Sequence, residues 1–137
     1  MAECVFCRIA AGTLPASVVY RDARTIAFMD IAPLAKGHVL VATIDHIENI
    51  YDLDAEGAGA LFRAAARIAG AMKRVLQPDG LTVLQANERP GGQVVMHIHV
   101  HLIPRRSGDG LGFTWPATQP RREELDHLAG MLRSGLT

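Results

Sequence analysis

Apolar residues recur along this chain in short runs, then at helical spacing, then in runs again, and those changes of period predict its elements. Residues 5–11 read as a short helical turn that Gly12 and Pro15 stop. Val18-Val19-Tyr20 and Thr25-Ile26-Ala27-Phe28-Met29 follow, and the turn-like Arg21-Asp22-Ala23-Arg24 between them predicts a hairpin. Pro33 and Gly37 make 31–37 a loop, after which His38 to Thr43 reads as a strand.

The period then becomes that of a helix. Asp54 is the expected N-cap, and Leu61, Ala65, Ile68, Met72 and Val75 share one stripe with Arg63, Arg67, Lys73 and Arg74 off it. This helix runs to about Leu76, where Pro78 and Gly80 end it. Leu81 to Gln85 is a further strand, Asn87 to Gln93 a polar, glycine-rich turn, and Met96 to Ile103 a strand of strict alternation. Leu125, Leu128, Met131 and Leu132 return to helical spacing within 121–134, so a short helix is expected there.

Neighbouring strands joined by short turns around one long helix predict an α+β class: a mainly antiparallel sheet of about five strands, a long central helix and short terminal helices. With 137 residues and no composition shift, the whole of 1–137 is expected to be a single domain. An antiparallel sheet with one covered face leaves the other open, and 49% of residues are apolar. A second copy is expected to cover such a face, giving a homodimer.

The alternating strand carries the chemistry. Ile98, Val100 and Leu102 occupy one face and His97, His99 and His101 the other, about 6.6 Å apart at the rise of a strand. That spacing suits a bound phosphate or a metal and does nothing for a hydrophobic core. The alternative is a polar strand face whose histidines are hydrogen-bonded and have no chemical role. Six histidines in the chain place three in this five-residue window, which favours chemistry. The preceding turn, 87–93, can present backbone N–H groups to an anion.

Lysine plus arginine equals aspartate plus glutamate at 14 each, so no net field points to nucleic acid or to a membrane as partner. An anionic ligand must be held by local groups. Met1-Ala2-Glu3-Cys4 opens no signal peptide, and Arg63 and Arg67 interrupt the alanine-rich stretch from 55 to 72, so no membrane span is expected and a cytoplasmic location is. In that reducing setting the two cysteines, Cys4 and Cys7, lean away from a disulfide and toward metal binding or a redox pair. A thioredoxin-like pair should follow a strand and open a long helix, which the start of this chain does not offer. Cys-x-x-Cys is half a zinc site, and histidine is the plentiful candidate for the other half.

Taken together, His97-Ile98-His99-Val100-His101-Leu102-Ile103, preceded by Asn87 and Gly91-Gly92-Gln93, resembles the signature of the histidine triad (HIT) superfamily of nucleotide hydrolases and transferases, and within it the Hint-like purine nucleoside phosphoramidase branch. Cys4-Val5-Phe6-Cys7-Arg8-Ile9, Ala27-Phe28-Met29-Asp30-Ile31, Gly37-His38-Val39-Leu40-Val41 and His46 fall in the same order, and Trp115-Pro116 resembles a C-terminal element of that branch. The likeness covers roughly residues 4 to 105.

The resemblance implies a HIT domain in which neutral His99 attacks the α-phosphorus of a nucleotide and forms a nucleotidyl-histidine that water cleaves. It implies that His101 donates to phosphate oxygens, with Gln93 and the N–H groups at Gly92 as further donors. Asn87 would assist at the phosphate or leaving group, and His38 would sit behind the triad and orient it. Asp30 would accept from the ribose hydroxyls, and Phe6, Ile9, Phe28 and Ile31 would hold the base. Relatives with both cysteines bind zinc, so Cys4, Cys7, His46 and His97 become a structural Zn²⁺ set, and no organic cofactor is implied.

The implied substrate is a purine nucleotide, an AMP derivative such as a nucleoside 5′-phosphoramidate. Diadenosine tetraphosphate hydrolysis and a non-catalytic nucleotide-binding module are the competing readings, the latter disfavoured by His99. Two departures bear on this. Val94 stands where the family commonly has serine or threonine, and Ala42-Thr43-Ile44-Asp45-His46 lacks the usual Pro-Lys pair ahead of the histidine.

Overall fold

The computed structural model describes residues 3–112 and 115–136. Strands β1 (Val18–Arg21), β2 (Thr25–Met29), β3 (Val39–Thr43), β4 (Gly80–Gln85) and β5 (His99–Arg105) form one sheet in the order β1-β2-β3-β5-β4, with every neighbouring pair antiparallel. Helices α1 (Val5–Ala10), α2 (Ala55–Leu76) and α3 (Arg122–Gly135) complete the α+β architecture. The turn between β1 and β2 is closed by Asp22, whose carboxylate accepts from the backbone N–H groups of Arg24 and Thr25 at 2.9 and 2.8 Å.

Alternation along β3 and β5 sorts the side chains into two layers. Val39, Val41, Ile98, Val100 and Leu102 face α2 and pack with Leu61, Ala64, Ala65, Ile68 and Met72. Fully burying each of the large aliphatic side chains contributes about 1.5–3 kcal/mol. On the opposite face Leu40 and Ala42 join Ile26, Phe28, Phe6 and Ala10, so α1 covers part of the face left open in the sequence reading. His99 pairs with Ala42 and His101 with Leu40, which puts both imidazoles on the α1 side.

Asp54 caps α2 as expected, accepting from the N–H of Gly57 at 2.6 Å, and the helix stops where Gln77 turns left-handed at φ 48° ahead of Pro78. Val75, assigned to the buried stripe, is 78% exposed. It sits in the last turn, where the stripe has rotated off the sheet and Leu76 takes the inner position. The histidine segment also differs in extent. His97 precedes β5 and lies outside the ladder, held by the N–H of Ile98 donating to Ile47 O at 2.7 Å.

Gly37 ends the loop that enters β3, with φ +92°. A Cβ there would lie 2.6 Å from Leu76 Cδ1 and 3.3 Å from Pro104 Cγ, so both conformation and space demand glycine. Helix α3 forms with the expected apolar stripe, yet none of its residues is buried.

Candidate functional site

Hydrogen bonds decide which nitrogen of each histidine holds its proton. His99 Nδ1 lies 2.7 Å from the carbonyl oxygen of His97, and a carbonyl only accepts, so the proton is on Nδ1 and Nε2 keeps its lone pair. His97 Nε2 lies 2.6 Å from Thr43 O, which leaves its Nδ1 bare. His38 takes the same tautomer as His97 from the other side: its Nδ1 accepts from the backbone N–H of Leu34 at 3.1 Å, and its Nε2 lies 3.0 Å from His101 Nδ1. Burial, first among the causes, pushes His38, His97 and His99 below the ordinary imidazole value, and His101 down to about 4. All four rings are therefore neutral at pH 7.

The His99 and His101 rings lean together to 4.9 Å between centroids, closer than the about 6.6 Å repeat of an ideal strand. Phe6 stands edge-on to His99 at 5.0 Å and to Phe28 at 5.2 Å. Its ring thus joins the strand that carries His99 to the apolar wall.

That wall belongs to a cavity of about 930 Å³ on the α1 face of the sheet, lined by His99, His101, Asp30, Gly92 and the apolar Phe6, Ile9, Phe28 and Ile31 among others. Phe6 and Phe28 form its buried floor, whereas Ile31 is fully exposed at the rim. Asp30 Oδ1 accepts from the N–H of Ala32 at 2.9 Å, and Oδ2 lies 3.5 Å from His38 Nε2. Gly92 is left-handed at φ +99°. The sequence reading missed Leu14, Pro15, Ala16 and Ser17, which line the same cavity after α1, because a connecting loop has no periodicity to betray its neighbours.

Gln93 and Asn87 take backbone and side-chain partners in the loops around the site. Gln93 is buried and its amide nitrogen donates to Glu48 O at 2.7 Å and Val95 O at 3.1 Å, while its oxygen accepts from the N–H of Glu88 at 2.8 Å. Both amide hydrogens are thus engaged away from the cavity, and the side chain braces the turn. Asn87 Oδ1 accepts from the N–H of Ile50 and from Gln85 Nε2, both at 2.8 Å, and Nδ2 donates to Gln85 Oε1 at 2.7 Å. It ties β4 to the 50–52 turn. Neither residue lines the cavity.

On the other side of Phe6 lies a second cluster. The ligand atoms of Cys4, Cys7, His46 and His97 all fall within 4.8 Å of one another. Cys4 Sγ is 3.3 Å and Cys7 Sγ 3.6 Å from the bare His97 Nδ1, and Cys7 Sγ is 3.4 Å from His46 Nδ1. Bonds of about 2.3 Å to sulfur and about 2.0 Å to nitrogen at tetrahedral angles place such atoms about 3.6 Å apart. The donor set therefore fits zinc. Cys4 and Cys7 form no disulfide, and burial followed by the hydrogen bond with Cys4 pushes the Cys7 thiol up, so a cation is needed to hold both sulfurs as thiolates.

Fold and site together define a small α+β protein with tautomer-fixed histidines on a central strand beside an apolar cavity. Residues 11–108 match the HIT domain family, and the chain belongs to that family. A HIT family protein from Bacillus anthracis superposes with a TM-score of 0.94 at 36% identity, covering 98% of each chain. An adenosine 5'-monophosphoramidase, hnt1 of Schizosaccharomyces pombe, is 33% identical over 133 residues, 96% of this chain and 97% of its own. A Zn-bound histidine triad family protein from Mycobacterium smegmatis has a TM-score of 0.77 at 34% identity, covering 98% of each.

Proposed function

We propose that this protein is a nucleotide hydrolase that cleaves the bond at the α-phosphorus of adenosine 5′-phosphoramidates or related adenylates through a nucleotidyl-histidine. The observation that carries the reading is the hydrogen bond from His99 Nδ1 to the His97 carbonyl, which leaves an unprotonated Nε2 on a ring that lines an apolar, nucleotide-sized cavity. In the first step Nε2 forms a bond to phosphorus as the bond from phosphorus to the amine breaks, and the amine leaves with the electron pair and takes up a proton from solvent. Water then attacks phosphorus and returns a proton to solvent as the bond to Nε2 breaks, and AMP is released with the imidazole restored. The His97 carbonyl dipole steadies the positive charge on His99 while it is bonded to phosphorus.

His101, with its proton on Nε2, donates to the phosphate oxygens together with the backbone at Gly92. Asp30 accepts from the ribose hydroxyls, and Phe6, Ile9 and Phe28 hold the base against Ile31 at the rim. In this arrangement His38 orients His101. The relative from Schizosaccharomyces pombe supports the phosphoramidate over a dinucleoside polyphosphate.

Zinc in the Cys4, Cys7, His46 and His97 set supplies structure only, holding α1 on the sheet. A reduced cysteine pair goes with a cytoplasmic setting, and among the described residues no helix is long and apolar enough to cross a membrane. Rapid quenching with adenosine phosphoramidate followed by intact mass measurement tests the chemistry. The expected result is one added AMP on the wild type and none on His99→Ala, whose turnover falls by at least about a thousandfold. Full turnover by His99→Ala would remove the covalent step, and a faster rate on diadenosine tetraphosphate would move the substrate class.

A further inference from the structure

Among the described residues, two clusters have the composition and reach of a metal site. The second comprises Asp30, His38 and His101, whose ligand atoms also lie within 4.8 Å of one another. What stands behind each histidine separates the two. His97 has a carbonyl behind it, at Thr43, which takes the Nε2 proton and turns a bare nitrogen toward Cys4 and Cys7. His38 has an amide behind it, at Leu34, and an N–H needs a bare acceptor, so the proton of neutral His38 resides on Nε2.

We propose that the Leu34 amide is a tautomer lock that makes His101 a donor toward the cavity and denies the Asp30, His38 and His101 cluster the bare nitrogen a metal would need. The lock works in two moves. The Nε2–H of His38 donates to His101 Nδ1 at 3.0 Å, so His101 must hold its own proton on Nε2. A metal joining His38 and His101 would have to displace the His38 proton to Nδ1, where it would face the Leu34 N–H at 3.1 Å. Two donors would then point at each other, with His38 only 1% exposed to solvent.

Loop geometry sets the amide independently of the Leu34 side chain, which is 59% exposed. Asp30 N–H donates to His38 O at 3.0 Å and His38 N–H to Ala35 O at 3.1 Å, so both ends of the loop are tied to the histidine that the amide controls. The donor half of the proposal rests on the proposed hydrolase reading, whereas the tautomers and the metal count do not.

The test uses full-length, zinc-loaded, ¹⁵N-labelled protein, and metal equivalents are totals per chain with the zinc counted as the first. Long-range ¹H–¹⁵N spectra of the imidazoles are expected to show His38 and His101 protonated on Nε2 and His99 on Nδ1. A His38 ring protonated on Nδ1 overturns the proposal. Leu34→Pro removes the N–H and Leu34→Ala keeps it. Leu34→Pro is expected to mix the His38 and His101 tautomers, lower kcat about a hundredfold with KM little changed, and take up a second equivalent of Co²⁺. Leu34→Ala is expected to hold the wild-type tautomers and bind one equivalent.

Should Leu34→Pro fail to fold, wild-type protein titrated with excess Co²⁺ decides: one equivalent supports the lock, and a second that Asp30→Asn abolishes overturns it. Wild-type tautomers and single stoichiometry in a folded Leu34→Pro overturn it equally. Failure of the hydrolase reading would instead show as retained turnover in His99→Ala with these spectra unchanged.

Discussion

His101 titrates at about 4 in the folded chain against 6.5 for the free side chain, with desolvation the largest cause and the neighbouring His99 and His38 rings next. Between those two values the unfolded chain binds a proton that the folded one refuses. Stability from this group is thus fully present above pH 6.5 and is lost as pH falls toward 4. Urea midpoints measured across that window should fall with acidification, and the slope should be shallower in His101→Asn. An equal slope in both proteins would show that the ring is not the group responsible.

Individual residues were legible in the sequence only where residue type carries the role. The histidine alternation, the cysteine pair and His46 have side chains whose chemistry announces itself, and the structure brings them into the two clusters described. Gln93 and Asn87 were less legible because a carboxamide serves equally as a ligand donor or as a loop brace, and residue type alone does not name the partners it takes here. The Thr43 carbonyl and Leu34 amide were invisible for a simpler reason: every residue has them, so no residue type marks the ones that set a tautomer.

Among the elements, the strands and α2 were legible because burial on a sheet face or helix stripe constrains several positions at once. Val75 shows the limit, since one turn of drift at a helix end carries a residue from core to solvent. The contrast is measurable. Ile68→Ala should lose about 2–5 kcal/mol of unfolding free energy, and Val75→Ala should stay within about 0.5 kcal/mol. Gly37→Ala should destabilise by at least about 1 kcal/mol, because the left-handed backbone and the Leu76 side chain both oppose a methyl group. Chemical denaturation of the three variants checks all of these.

For the molecule as a unit, the homodimer expected from the sequence would draw on the exposed stripe of α3 and on β4, which ends the sheet among the described residues. Leu125, Leu128, Met131 and Leu132 are 40–71% exposed, and β4 ends the sheet with Val83 47% exposed. Light scattering is expected to give twice the 14.8 kDa of one chain, and Leu128→Glu with Leu132→Glu is expected to shift it toward one. Zinc in the proposed Cys4, Cys7, His46 and His97 set would add a second dependence on conditions. At free metal a hundred times its dissociation constant it contributes about 2.7 kcal/mol, so chelation should lower the melting temperature of the wild type and leave that of a Cys4→Ser, Cys7→Ser protein unmoved.

Phe6 occupies the same helical turn as Cys4 and Cys7 and presses its ring against His99. Whatever grips the two sulfurs also grips one wall of the cavity beside His99. Material purified in the presence of strong chelators or oxidants would accordingly carry a loosened wall, and a weak affinity recorded for it would describe the handling of the cysteines and not the selectivity of the pocket.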